Sequence, residues 1–279
     1  MSGAGVQYCE HGGCRLAFEV AGQGPPVLFL QGVGVHGGGW RPQTEALSGR
    51  FACLSFDNRG IGRSQPRAGE ITVARMADDA AAILDAAGWS SAHLVGHSLG
   101  GLVALELALA ARARVRSLAL LCTFSGGKTA APLTRRMLWL GLRSRIGTRQ
   151  QRRRGFLQIL YPPPGLSGFH ADRRALELAP LFGHDLADQS PVANAQLAAL
   201  RKADLSPRLG ELAGLPTLVL AAQHDPIAPP AAGCKLEAGI PGAHYLEFAD
   251  ASHGLPITHA AAVNELLAEH LSTAEQAYG

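Results

Sequence analysis

The chain has 279 residues, of which 47% are hydrophobic and 17% charged, with a formal net charge of +3 at neutral pH. That composition suits a soluble globular protein with one large core and excludes a disordered chain. No apolar run reaches the roughly 18 residues that a membrane helix needs, and residues 1–5 have neither the basic nor the apolar part of a secretory leader, so no membrane span and a cytoplasmic location are expected.

In chain order, residues 6–10 and 14–20 read as an opening hairpin around His11-Gly12-Gly13. Apolar runs at 27–30 and 51–56 read as buried strands, and 72–87 has helical spacing that closes at Gly88. A strand at 92–95 leads through a sharp turn into a helix that is apolar on nearly every side from Leu102 to about Ala113. Further strands are expected at 117–122, 216–221 and 244–248, and a closing helix from about His259 to Leu271. Strands that alternate with helices imply an α/β fold, a mostly parallel sheet covered on both faces. In such a sheet ligands bind beyond the carboxyl ends of the strands, where Ser98, Asp57, Asp225 and the 31–34 loop should gather.

Residues 124–207 break this rhythm. Helix patterns near 131–146, 148–160, 172–182 and 191–202 are interrupted at Pro162-Pro163-Pro164 and Gly165, with no strand evident. This segment is expected to be a helical cap inserted into a core made of 1–123 and 208–279. Between Phe124 and Ala171 it carries eight arginines and one lysine with no acid. Arg145, Arg149, Arg152 and Arg153 at helical spacing read as a solvated face. The same charge would also suit a basic mouth for an anionic small-molecule substrate, or a membrane or nucleic-acid surface. Against nucleic acid, no aromatic interleaving or known binding motif is present. The five cysteines (Cys9, Cys14, Cys53, Cys122 and Cys234) are odd in number and scattered. They make no metal-ligand pattern and read as reduced thiols, although Cys9 and Cys14 could face each other across the hairpin.

Gly96-His97-Ser98-Leu99-Gly100 is a Gly-x-Ser-x-Gly motif set between an expected strand and an expected helix. A serine held up on such a turn is exposed for attack, and the flanking glycines avoid the collisions that side chains would cause there. The buried strand ending in Gln223-His224-Asp225 supplies an acid, and Ser252-His253 follows the last strand as a candidate base. His97 reads as lining or propping the turn, His224 as a loop histidine and Asp250 as part of a surface turn.

Four stretches together carry a resemblance: the serine turn, Asp57-Asn58-Arg59-Gly60-Ile61-Gly62-Arg63-Ser64, the 223–229 stretch and Ser252-His253. Over nearly its whole length the chain resembles the α/β-hydrolase fold serine hydrolases, whose residues follow in the order serine, acid, histidine. The resemblance implies Ser98 as nucleophile, His253 as base and Asp225 as its orienting acid, with no metal or cofactor required. It makes the 57–64 turn structural. For the oxyanion hole two registers are open. In one, Gln31 stands where the family usually has histidine, Val33 N–H is a donor and Trp40 falls at a common aromatic position. In the other, His36-Gly37-Gly38-Gly39 serves, although it starts five residues late. Leu99 N–H is the second donor in both, and the first register is preferred.

Gly32, Trp40, Phe124 and Trp139 are candidate pocket residues, with Thr123 near the serine and Leu255 near the cavity. For Trp139 and the leucines around it, packing within the insert is the preferred reading. The resemblance, closest in the 31–34 and 57–64 stretches to enol-lactonases and small bacterial esterases, implies hydrolysis of a small carboxylic ester or lactone. C–C bond hydrolysis of a diketone or polyketide methyl ester cleavage would use the same residues. A ligand receptor on a hydrolase scaffold is the alternative of another class. Oligomeric state and substrate identity are not set by the sequence.

Overall fold

The computed structural model describes residues 5–127, 134–163 and 170–278, with only backbone for Arg136 and Met137. Lys128, Pro164 and Gly165, used in the sequence reading, lie outside the described residues. The strands are β1 (Gln7–His11), β2 (Cys14–Ala21), β3 (Pro26–Leu30), β4 (Ala52–Phe56), β5 (Ala92–His97), β6 (Val115–Leu121), β7 (Thr217–Ala222) and β8 (His244–Phe248). They form one sheet in the order β1-β2-β4-β3-β5-β6-β7-β8. β2 is antiparallel to β1 and β4, and the remaining pairs are parallel.

Helices α1 (Arg41–Leu47), α2 (Val73–Ala86) and α3 (Leu99–Ala110) connect β3 through β6. Between β6 and β7 lie the cap helices α4 (Arg135–Arg143), α5 (Arg149–Leu160), α6 (Ala171–Phe182) and α7 (Ala193–Lys202). Then α8 (Pro230–Gly239) joins β7 to β8, and α9 (Leu255–Thr258) and α10 (Ala260–Tyr278) close the chain. Among the described residues no helix is long and apolar enough to cross a membrane.

Side-chain alternation along the central strands builds two cores. Leu28 and Leu30 of β3, Leu94 of β5 and Leu118 and Leu120 of β6 face one side, where α2, α3 and α8 pack. Val27, Phe29, Val95, Ala119 and Leu121 face the other, against Leu47 of α1 and Val263, Leu267 and Leu271 of α10. A period of two in the strands meets a period of four in α10, as a sheet covered on both faces demands. Each of those three α10 side chains is fully buried and contributes roughly 2 kcal/mol of burial energy. The cap has its own small core around Leu157, Leu160, Leu178 and Phe182.

Several expectations need correction. α1 and α8 are not foreseen, α3 starts at Leu99 and ends at Ala110, and α10 runs on to Tyr278. The register sets Cys9 opposite Leu16 and His11 opposite Cys14, so Cys9 and Cys14 do not face each other directly. All five cysteines are free thiols.

From β3 the chain moves to β4 on one side and returns to β5 on the other. That reversal opens a crevice beyond the carboxyl ends of β3 and β5, where the 31–35 loop and Ser98 lie.

Candidate active site

Ser98 sits between the last residue of β5 and the first of α3 with φ +54° and ψ −120°, a conformation that a residue with a Cβ adopts only under constraint. The constraint is visible. Ser98 N–H donates to Leu121 O at 3.0 Å, and Ser98 O accepts from Gly101 N at 3.0 Å and from the Thr123 hydroxyl at 2.6 Å. A Cβ on Gly96 would lie 2.6 Å from the Gly101 Cα, and one on Gly100 would run into the Leu30 carbonyl. The tight turn therefore needs both glycines.

Asp225 follows β7 on a turn that folds back on its own carboxylate. Its Oδ1 accepts from Ile227 N at 2.7 Å and Ala228 N at 2.9 Å, while Oδ2 accepts from His253 Nδ1 at 2.7 Å. Because a carboxylate only accepts, Nδ1 of His253 carries the hydrogen and Nε2 is left as the basic nitrogen. Both side chains are buried, and His253 opens onto the same cavity as Ser98.

His253 is also gripped from the cap. Gly254 N–H donates to Leu160 O at 3.1 Å, and the Ser252 hydroxyl contacts Ile159 O at 2.9 Å and His224 O at 3.1 Å. The residues on either side of the imidazole are thus tied to the last turn of α5. His97 adds a third hold: its Nε2 donates to His253 O at 2.9 Å, and the two rings lie 4.8 Å apart. Burial, together with His253 beside it, pushes the His97 pKa down to about 3. It therefore stays neutral and puts no positive charge next to His253. Beneath the pair lies Cys122, whose φ is +46°; burial and the adjacent Asp225 carboxylate push its thiol well above the usual range. His97, Cys122 and His253 bring possible metal-ligating atoms within 4.8 Å of one another. His97 Nε2 and His253 Nδ1 hold hydrogen bonds, to His253 O and Asp225 Oδ2.

In the loop after β3, Gly32 N–H is bonded to Gln31 Oε1 at 3.2 Å, Gly34 N–H to Gln196 Oε1 at 2.8 Å and Val35 N–H to Gly32 O at 3.5 Å. Gly37 N–H is taken by Asp57 Oδ1 at 2.8 Å and Gly39 N–H by His36 O at 3.1 Å. In the His36–Gly39 register the Gly37 and Gly39 amides are therefore engaged elsewhere. Val33 lines the cavity, and Leu99 lies at the first position of α3, where a helix has unpaired N–H groups. Asp57 is fully buried; it also accepts from Arg63 N and Nε, which fits a purely structural turn. Asp250 is exposed and pairs with His259.

The cavity above Ser98 measures ≈ 980 Å³. Val35, Phe124, Leu140, Phe156, Ile159 and Leu197 give it an apolar wall, drawn from both the core and the cap. Gly32, Trp40 and Phe124 line it, but Trp139 does not: it stands half-exposed on α4, neither in the cavity nor in a cap core. Leu255 is fully buried behind the site in the core with Trp40. The arginines divide as well. Arg149 pairs with Asp185 and Asp188, and Arg153 with Asp185 and Asp172. The Arg153 guanidinium holds the Asp185 carboxyl well below the usual carboxylate range. Arg145 and Arg201 line the cavity, whereas Arg149 and Arg152 do not. Gln196, Cys122 and the α5 carbonyls carry no sequence signal, because their partners lie far away in the chain.

The alpha/beta hydrolase fold family matches residues 25–260. The chain is 33% identical to an Azorhizobium caulinodans protein provisionally named carbamate hydrolase RutD, over 94% of this chain and 97% of that one. Among solved structures it is similar to the enol-lactonase of Burkholderia xenovorans, with 25% identity and a TM-score of 0.79 over 95% of this chain and 100% of that one. The thermophilic esterase of Thermogutta terrifontis matches with 27% identity and a TM-score of 0.78, covering 97% and 99%.

Proposed function

Because the chain belongs to the alpha/beta hydrolase fold family, we propose that Ser98, His253 and Asp225 act as nucleophile, base and orienting acid in the hydrolysis of a carboxylic ester or lactone. The observation that carries this reading is the Asp225-bonded imidazole opening onto the same cavity as a serine held at positive φ. In the first step His253 Nε2 takes the hydroxyl proton while Ser98 Oγ bonds to the substrate carbonyl carbon. The oxyanion is received by Val33 and Leu99 N–H, each donor being worth roughly 10²–10³ in rate. Collapse of the intermediate breaks the ester C–O bond, and His253 returns the proton to the leaving alkoxide. Water then attacks the acyl-enzyme with the same histidine as base, releasing the acid and restoring Ser98. Asp225 fixes the tautomer and stabilises the imidazolium throughout.

In this reading residues 124–207 form the cap, and Gly32, Trp40 and Phe124 face the bound substrate. The apolar cavity suits an acyl or alcohol group of many carbons. The five free thiols suit a reducing compartment, and we place the protein in the cytoplasm. A second reading, carbamate cleavage, is favoured by the provisional name of the relative that is 33% identical. Attack on a carbamate carbonyl uses the same groups, but a free carbamate ion would fill little of this cavity. Turnover of chromogenic esters of increasing acyl length, lactones, O-alkyl carbamates, free carbamate and a diketone, by wild type and Ser98→Ala, separates the readings. The proposal expects esters or lactones with bulky apolar groups to have the highest kcat/KM and Ser98→Ala to lose activity on all of them. Faster carbamate cleavage would favour the second reading, and full activity in Ser98→Ala would reject both.

A further inference from the structure

Among the described residues, one face of the cap stands exposed. Leu138, Trp139, Leu142 and Ile146 are each between 51% and 61% exposed. They are four of the seven large apolar side chains exposed among the described residues, so the exposure is concentrated in one short stretch. Leu138, Leu142 and Ile146 recur every fourth residue and form one stripe along α4 and the turn after it, with Trp139 beside them. This is not the helix's packing face. Leu140 and Ser144 are buried on the other side, where the Arg143 backbone passes so close to Gly155 of α5 that a Cβ there would lie 2.7 Å away.

The segment that carries the stripe has charge of one sign. Residues 124–171 contain no acid. Arg149 and Arg153 are neutralised by Asp172, Asp185 and Asp188 of the later cap. Arg143 lies 6.0 Å from the Trp139 ring. Among the described residues, Arg135, Arg143, Arg145, Arg152 and Arg154 form no ion pair with a carboxylate. An apolar stripe with a tryptophan, flanked by unpaired arginines, has the composition of a helix that lies in a lipid interface: the apolar groups enter the acyl boundary and the guanidinium groups meet anionic headgroups.

We propose that this face of the cap docks on an anionic phospholipid bilayer. A second copy of the chain is the poorer occupant, because stacking two such faces sets like charges against each other. Nucleic acid would leave the stripe facing water. Leu138, Leu142 and Arg145 belong both to this face and to the cavity wall. An apolar substrate dissolved in the docked bilayer therefore meets the cavity entrance directly. Docking itself does not depend on the reaction proposed at Ser98.

The test is co-sedimentation of the full chain with phosphatidylcholine vesicles, with and without phosphatidylglycerol, at low and high salt. Trp139 emission is read against a Trp139→Phe control. The wild type is expected to bind only the anionic vesicles, with salt-sensitive binding and a blue shift from Trp139. Trp139→Ser/Ile146→Ser should weaken binding by about tenfold or more, and Arg135→Gln/Arg143→Gln should lower it as well. Circular dichroism and turnover of a water-soluble chromogenic ester show that the variants are folded. Absence of vesicle binding, equal binding to neutral vesicles, or unchanged binding by both double variants would overturn the proposal. So would a wild-type dimer in analytical ultracentrifugation that Trp139→Ser/Ile146→Ser converts to monomer.

Discussion

Asp225 on the sheet side of the cavity and Asp185 on the cap side each collect several donors, yet they hold the molecule in different ways. Asp225 is buried and takes two amides of its own turn plus His253. Asp185 keeps part of its surface in water and takes Arg149, Arg153 and the Ala187 amide. The first arrangement is short-range, dry and little screened by salt. The second rests on long, partly exposed side chains, whose attraction weakens as ionic strength rises. The sheet side can therefore fix atoms to the tolerance that the proposed proton transfer needs, while the cap is held by contacts that salt can loosen.

The largest effect should come from breaking the sheet side. Asp225→Asn is expected to reduce kcat by about 10⁴ with the fold intact, since the imidazole would lose its tautomer; steady-state kinetics and a thermal melt check this together. A loss confined to stability, with kcat unchanged, would remove Asp225 from the relay.

Acid is next. His97 stays neutral in the folded chain down to about pH 3, while in the unfolded chain it protonates near 6.5. Between those values the unfolded state binds more protons. The stability linked to His97 is thus complete above pH 6.5 and is lost as pH falls toward 3, by about 1.4 kcal/mol per pH unit. His270, pushed down to about 4 by burial, adds a second loss of the same sign. Urea midpoints across this range should show the slope, and His97→Gln should remove one part of it. A flat profile would mean that neither histidine is held neutral.

On the cap side, Asp185→Ala should free Arg149 and Arg153 and destabilise α5 by about 1–2 kcal/mol. Hydrogen exchange is expected to accelerate in residues 149–160 and not in 92–97, and salt should imitate the change in the wild type. Equal acceleration in both segments would erase the contrast. The smallest effect belongs to the joint between the two sides. Ser252→Ala removes the contact with Ile159 and is expected to cost about 1 kcal/mol, lowering kcat several-fold with little change in KM. A change in KM alone would mean that the α5 tether shapes the cavity without positioning His253.

The sheet side was also the part most open to reading from sequence. The turn at Ser98 depends on glycines two residues either side, the acid and the imidazole follow apolar strands, and their chain order is informative in itself. The cap resisted because its forces act between distant residues. Arg149 and Arg153 look like free charge until the fold brings Asp172, Asp185 and Asp188 to them. Trp139 sits in an amphipathic pattern that suggests burial, and no periodicity reveals that the apolar stripe faces outward. α1 and α8 escaped notice for a local reason. The first is only seven residues long and begins at Arg41-Pro42; the second contains Pro230, Gly233 and Gly239, which weaken any helical pattern. The tie from Ser252 and Gly254 to α5 involves main-chain carbonyls, which leave no trace in side-chain identity.

In the proposed reaction the Ser98 hydroxyl is activated by the imidazole bonded to Asp225. Treatment with a fluorophosphonate, followed by peptide mass mapping, tests it most directly. One equivalent of label on Ser98, absent in Ser98→Ala and much slower to form in Asp225→Asn, is expected. Stoichiometric label on another side chain, or labelling of Ser98 at an undiminished rate in Asp225→Asn, would contradict it.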